Sequence, residues 1–370
     1  MVDIAGQIAA QHVLLSEASG RNEIIGLSLQ GCKFDDRILR VHRNHNFEMI
    51  EPILSVYGKY AGFDIKTEVG AYDDSVSFRS LDDRTVDVEL LWIDYSRYDL
   101  DPVALAEFIA SRAVALRQLT IAPILVCDDP HVSDFNRTLE EKVGALPGIY
   151  ILPLSEIAGK VGTGFHDHAR ANLFGTTFNT RVLPEIARLL GLRYLPAVLR
   201  SRIKAIAIDL DNTLYSGVLG EDGPGGVLLT DGHRRLQEAL VQLGSSGVML
   251  ALVSKNVEQD VDTLFAERTD FPLRLEHLAG KRINWEAKAA NIIILAGDFN
   301  ISPADVLFLD GNPSEIARGV AEIPLIDVMH ASEDAACRGA GALCFRGFSH
   351  SPAATRTLNT KKYYSASAAT

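Results

Sequence analysis

No apolar run in the sequence is long enough to cross a bilayer, and the opening stretch "MVDIAGQIAAQHVLLSEASG" carries Asp3 early with no basic leader. That pattern predicts neither a membrane span nor a secretory signal, and the expected location is cytoplasmic. Cysteine is scarce. Cys32, Cys127, Cys337 and Cys344 form no C-x-x-C pair and have no companion histidines at zinc spacing, so neither a disulfide framework nor a structural zinc is expected. Basic residues are outnumbered, 36 Lys and Arg against 48 Asp and Glu, for a formal charge of -12. A nucleic-acid partner, which calls for a basic surface that displaces phosphate counterions, is not expected.

What the chain does have is alternation. Its 370 residues exceed one ordinary core, so two domains are expected. From Asn22 to about Leu195, "EIIGLSL", "FDIKTEV", "VELLWID", "PILVCDD" and "GIYILPL" read as strands, and "DPVALAEFIASRAVALRQL" as a helix capped by Asp101 with Pro102 in its first turn. A second run holds the strands "KAIAIDLD", "VMLALVSKN", "LRLEHLA", "VLFLDGN" and "IPLIDV" between the helices "DGHRRLQEALVQLGSSG", "NVEQDVDTLFAER" and "WEAKAANIIILAGDFN". The fold class is α/β, with a parallel sheet in each of two domains. "RLLGLRYLPAVLRSRIK" reads as a helix end followed by Pro196 and marks the junction near Arg200. The expected limits are 1–200, 201–346 and a Gly- and Ser-rich C-terminal tail, 347–370.

In an open parallel sheet the ligand site lies beyond the carboxyl ends of the strands. The second run delivers there Asp209, Asp211 and Thr213 from its first strand, Ser254, Lys255 and Asn256 from its second and Asp310 from its fourth, with Lys288 on the helix after "NWEA". An unbroken apolar strand ending in two carboxylates needs partners for them, since an unpaired buried charge is costly. Carboxylates suit a hard divalent cation, while hydroxyl, N–H and ammonium groups suit phosphoryl oxygens. Singly, an Asp at a strand exit also serves as a turn cap, and Ser254 as a helix N-cap.

D-x-D-x-T on the first strand, Ser on the second, Lys before the third helix and an acidic fourth motif, in this order, resemble the haloacid dehalogenase superfamily. "LDNTLYSGVLGEDG", "VSKN", "NWEAKAANI" and "LDGNPSE" look like its FkbH-like branch, and the preceding region is similar to the SGNH-like, flavodoxin-type domain that longer members carry. The resemblance implies Asp209 as nucleophile, Asp211 as general acid and base, and Thr213, Ser254, Lys255, Asn256 and Lys288 around the phosphate or substrate. It implies a Mg²⁺ held by Asp209, Asp310 and the main-chain carbonyl of Asp211. It also implies removal of phosphate from 1,3-bisphosphoglycerate with loading of the glyceryl group on the thiol of a phosphopantetheinylated acyl carrier protein, as in polyketide-type natural-product biosynthesis. Two alternatives are a small-molecule phosphatase of a biosynthetic pathway and a non-catalytic scaffold with a weakened metal site.

Two departures stand out. Tyr215-Ser216 occupies the place of Trp-Gly, and Gly311 replaces the second acid of the fourth motif. Loss of that acid predicts metal affinity weaker by ~10–100-fold, with Asn312 or Glu315 acting through water. Only the short flap "SGVLGEDGPGGVLL" separates the first strand from its helix, so a minimal cap is expected, open to a bulky or protein-borne substrate.

In the first domain, Ser28 sits where an SGNH-type nucleophile would, but His166, Asp167 and His168 lack the Asp-x-x-His spacing, so a docking or substrate-shaping role is expected. Cys32 is a thiol-relay candidate or simply a small turn residue. His42 and His45 are expected on a helix face. Arg170, Arg181, Arg188, Arg193, Arg200, Arg202 and Lys204 have only Glu185 among them. This strip reads as a solvated face or as a dock for an acidic carrier protein.

Overall fold

The structure is a computed structural model that describes residues 4–16, 19–29, 34–79, 81, 85–199, 203–323 and 326–331. They fall into two compact units, one spanning Glu17–Arg200 and the other beginning at Ser201 and including Val2–Ser16. Helix α1 (Ile4–Leu15) thus belongs with the C-terminal unit.

The N-terminal unit is a five-stranded parallel sheet, β1 (Asp35–Arg43), β2 (Phe63–Val69), β3 (Val88–Trp92), β4 (Ile124–Cys127) and β5 (Ile149–Leu152), in the order β2-β1-β3-β4-β5. Every residue of β3 and β4 is buried, as in a sheet covered on both faces, Glu89 of β3 included. The helices are α2 (Arg21–Ile25), α3 (Glu51–Tyr60), α4 (Pro102–Leu119), α5 (Ser133–Val143), α6 (Leu154–Val161), α7 (Ala171–Phe174), α8 (Leu183–Arg188) and α9 (Leu195–Leu199). The carboxylate of Asp101 accepts from the N–H groups of Val103 and Ala104 and starts α4.

Three sequence expectations fail in this unit. "EIIGLSL" is not a strand; its first half is α2, which buries only Ile24. The sheet begins instead with the charge-rich "DDRILRVHR" of β1, whose apolar residues pack inward while Arg40 and His42 find an acid, Glu89, on β3. His42 therefore lies on a strand and not on a helix, and His45 lies in the loop that follows. Pro196 does not end the helix: a π-helical turn over Leu189–Tyr194 runs straight into α9, and such a turn relaxes the hydrogen-bond ladder that Pro cannot join.

The C-terminal unit is also a five-stranded parallel sheet: β6 (Ala205–Ile208), β7 (Met249–Ser254), β8 (Gly280–Ile283), β9 (Val306–Asp310) and β10 (Asp327–His330), in the order β10-β9-β6-β7-β8. Its helices are α10 (Leu219–Gly226), α11 (Asp231–Ser245), α12 (Glu258–Glu267), α13 (Lys288–Asp298) and α14 (Pro313–Glu322). The chain passes from β6 outward through β7 to β8, then returns to the other side of β6 with β9. A topological switch point falls between β6 and β9, where α/β sheets bind ligands. One face of β6, β7 and β9 packs Ala207, Val253 and Phe308 against Ile292 and Leu295 of α13. The predicted strand "LRLEHLA" is coil with a 3₁₀ turn at Leu275–His277, and the strand is the following "GKRI", an edge that needs little apolar character. The last strand likewise begins at Asp327, later than "IPLIDV" suggests. The flap is the short helix α10, broken at Gly223, where φ is 64°. Against α14, α1 is tied down by Gln11 Nε2, which donates to the carbonyl of His330 at 2.8 Å.

Candidate active site

Apolar β6, β7 and β9 end side by side, so their last residues meet. Asp209, Ser254, Lys288 and Asp310 are all at most 5% exposed. The Lys288 ammonium bridges the two acids, 2.7 Å from Asp209 Oδ1 and 2.7 Å from Asp310 Oδ2. The Ser254 hydroxyl donates to the same Asp209 Oδ1 at 2.8 Å. Asp209 Oδ2 has a long contact, 3.4 Å, with the Thr213 hydroxyl. It is the less occupied oxygen of the pair.

Two carboxylates against one ammonium leave a negative charge over in a buried place. Burial, then the charge of Asp209, pushes the carboxyl of Asp310 up to about 7. Burial likewise raises that of Asp209, against the pull of Lys288 and Ser254. For Lys288 burial works against the ammonium, but the two acids outweigh it and hold it above the usual lysine range. An excess of buried negative charge among oxygen donors fits a hard divalent cation. Mg²⁺ in particular takes one or two protein carboxylates and keeps several waters.

Asp211 is built differently. Its side chain has other partners: Oδ1 accepts from the Tyr215 hydroxyl at 2.8 Å and the Leu219 N–H at 2.9 Å, and Oδ2 from Asn256 Nδ2 at 2.9 Å. Accordingly, among the described residues no three His, Cys, Asp or Glu side chains converge on one metal position. A further ligand beside Asp209 and Asp310 would therefore be something other than an acid side chain, such as the main-chain carbonyl of Asp211.

Two predicted substrate contacts have partners within the protein. Thr213, fully buried, ties the two central loops together: its Oγ1 accepts from the Gly311 N–H at 2.7 Å. Lys255 is paired with Glu315 of α14 at 2.8 Å. Sequence reasoning missed Tyr215 and Leu219 as site residues; Tyr215 showed only as a departure from the motif, and a main-chain donor such as Leu219 leaves no sequence signal. It also read Gly311 only as an absent acid. A Cβ there would stand 2.3 Å from the Asn212 carbonyl oxygen and 3.0 Å from that of Ala331. His330 Nε2 lies 3.0 Å from the Gly311 carbonyl oxygen, closing the same turn from the other side.

With this geometry in view, comparison with known proteins is informative. No family model matches the chain, and no curated protein does. Among solved structures it is similar to the N-terminal part of the protein BF1531 from Bacteroides fragilis, described as containing a phosphatase domain complexed with Mg. The two share a fold. The TM-score is 0.64 at 19% identity, over 85% of this chain and 95% of that one.

Among the N-terminal candidates, His45 and His166 both pack on Phe178, and His168 stacks on His166. Ser28 is exposed in the loop after α2. His45 is fully buried, stacked on Trp92, with Nδ1 2.9 Å from Thr176 Oγ1, and burial pulls its imidazole down to about 3. His166 Nδ1 lies 3.1 Å from Thr177 Oγ1, and Asp167 accepts from the Arg170 N–H. Cys127 is a buried free thiol; Cys32, Cys337, Cys344, Arg200, Arg202 and the tail lie outside the described residues. Three described members of the basic strip are paired with acids. Arg188 is 2% exposed and paired with Glu185, Arg193 is paired with Glu156 and Lys204 with Asp305. No helix among the described residues is long and apolar enough to cross a membrane.

Proposed function

We propose that the protein is a Mg²⁺-dependent phosphatase working through an aspartyl phosphate on Asp209. The observation that carries this reading is the buried meeting of Asp209, Ser254, Lys288 and Asp310 at the switch point of the sheet. Similarity of fold to a phosphatase domain complexed with Mg supports it.

Asp209 attacks phosphorus through a carboxylate oxygen, and the bond from phosphorus to the leaving oxygen breaks as Asp211 gives that oxygen a proton. Water then attacks the aspartyl phosphate and yields its proton to Asp211. The phosphorus–Asp209 bond breaks, and inorganic phosphate leaves. Ser254 and Lys288, already directed at Asp209, offset the charge that spreads over the phosphoryl oxygens. Mg²⁺, held by Asp209, Asp310 and the Asp211 carbonyl, would supply further neutralisation of that charge.

The motif resemblance extends the reading to a donor and an acceptor. The donor is 1,3-bisphosphoglycerate: the thiolate of a phosphopantetheinylated acyl carrier protein attacks C1 and displaces the acyl phosphate as inorganic phosphate, and the Asp209 chemistry then hydrolyses the 3-phosphate ester, leaving a glyceryl thioester. The helix α10 is too short to wall off the site, which suits a substrate presented by another protein. Incubation with Mg²⁺, 1,3-bisphosphoglycerate and candidate carriers, followed by intact mass spectrometry, should show a glyceryl adduct that Asp209→Asn removes. No adduct, together with Asp209-dependent release of phosphate from other esters, would leave a simple phosphatase. No release from any phosphate would overturn both.

A further inference from the structure

Asp211 is the acid and base of the proposed reaction, yet it makes no contact with Lys288 or Asp310; what holds it is Tyr215. The Tyr215 ring is fully buried and stacks on Phe271 with centroids 5.9 Å apart, and Phe271 meets Phe265 of α12 edge-on. Packing of this kind leaves the hydroxyl one place to be, and a buried phenol needs a partner. That partner is Asp211 Oδ1 at 2.8 Å. The Leu219 N–H, at the start of the flap helix α10, donates to the same oxygen at 2.9 Å.

A carboxylate offers about four acceptor positions, two on each oxygen. On Asp211 both positions of Oδ1 are filled, by Tyr215 and Leu219, while among the described residues Oδ2 carries only the Asn256 amide. One position is left, on Oδ2, and a transferable proton has only that place to sit. Asn256 Nδ2 also lies 3.2 Å from Ser254 Oγ, so the open oxygen is the one turned toward the nucleophile's neighbour.

We propose that Tyr215 is a positioning residue: its hydroxyl fixes the rotation of the Asp211 carboxylate so that Oδ2 presents the proton, and it latches α10 to the same group. The role assigned to Asp211 rests on the phosphatase reading; the clamp rests on geometry alone. Tyr215→Phe keeps the ring and its packing and removes only the hydroxyl.

The decisive comparison is kcat/KM on two esters, an alkyl phosphate such as glycerol phosphate, whose leaving oxygen needs a proton, and p-nitrophenyl phosphate, whose leaving oxygen hardly does. Y215F should lose about tenfold or more on the alkyl ester, several times more than on the aryl ester, with KM for both within about twofold of wild type. Equal losses on the two esters, or a loss confined to KM, would overturn the proposal. A second readout is independent of turnover. Amide hydrogen exchange in the peptide spanning residues 216–222 should accelerate in Y215F while the rest of the chain exchanges as in wild type, and unchanged exchange there would overturn the clamp. Should wild type turn over neither ester in an Asp209-dependent way, the phosphatase reading fails, and the exchange measurement decides the clamp by itself.

Discussion

A Cβ on residue 311 would stand 2.3 Å from the carbonyl oxygen of Asn212. The turn after β9 is therefore packed against the loop after β6, and glycine is what lets them close. Gly311→Asp should not restore a metal ligand. It should push the loops apart, break the Gly311 N–H to Thr213 bond and cost about 2 kcal/mol or more. Urea unfolding and a Mg²⁺ titration of G311D check this; an unchanged midpoint with tighter Mg²⁺ binding would show that the loop accommodates the acid.

The excess of buried negative charge gives Asp209, the proposed nucleophile, a cost in stability. Asp209→Asn leaves one carboxylate for one ammonium, so metal-free D209N should melt a few degrees above wild type, a gain of about 1 kcal/mol. It should also lose at least about a thousandfold in phosphate release. A lower melting temperature in the variant would show that the Asp209–Lys288 pairing outweighs the repulsion.

The sign of the pH dependence follows from Asp310. Its folded value, about 7, lies above the 3.8 of a free carboxyl. The native state thus binds the extra proton, and the metal-free protein loses stability from this group as pH rises from about 4 to 7. Mg²⁺ competes with that proton. The rise in melting temperature on adding Mg²⁺ should be larger at pH 8 than at pH 5.5, as differential scanning fluorimetry would record. Equal rises would mean that Asp310 is not a ligand.

Arg188 and Arg170 separate the two readings of the basic strip. Arg188 is buried against Glu185, with Nε 3.3 Å from the Tyr57 hydroxyl. R188A should destabilise by about 3 kcal/mol through the unpaired acid it leaves. The Arg170 side chain is 66% exposed. R170E combined with Arg181→Glu should slow carrier loading but spare phosphate release from a small ester, and parallel losses in both assays would remove the docking idea.

Strand periodicity and the order of the motifs made most of the C-terminal unit legible, because β6, β7 and β9 are apolar runs that can only be buried and their exits can only be neighbours. Asp209, Ser254, Lys288 and Asp310 were readable for that reason. β1 was missed because its charged residues are compensated by Glu89 on β3, a partner far away in sequence. Two partners of the basic strip were hidden for the same cause: Arg193 pairs with Glu156 and Lys204 with Asp305, acids from other segments.

Local chemistry by itself determined where β6, β7 and β9 end and which side chains they carry to the sheet edge. Only the tertiary structure decided that Lys288 bridges two acids, that Asp211 turns to Tyr215 and Leu219, and that Gly311 must lack a side chain. Each of these depends on distances between loops that strand alternation does not encode, because alternation sets which face a residue occupies and leaves open what stands opposite it.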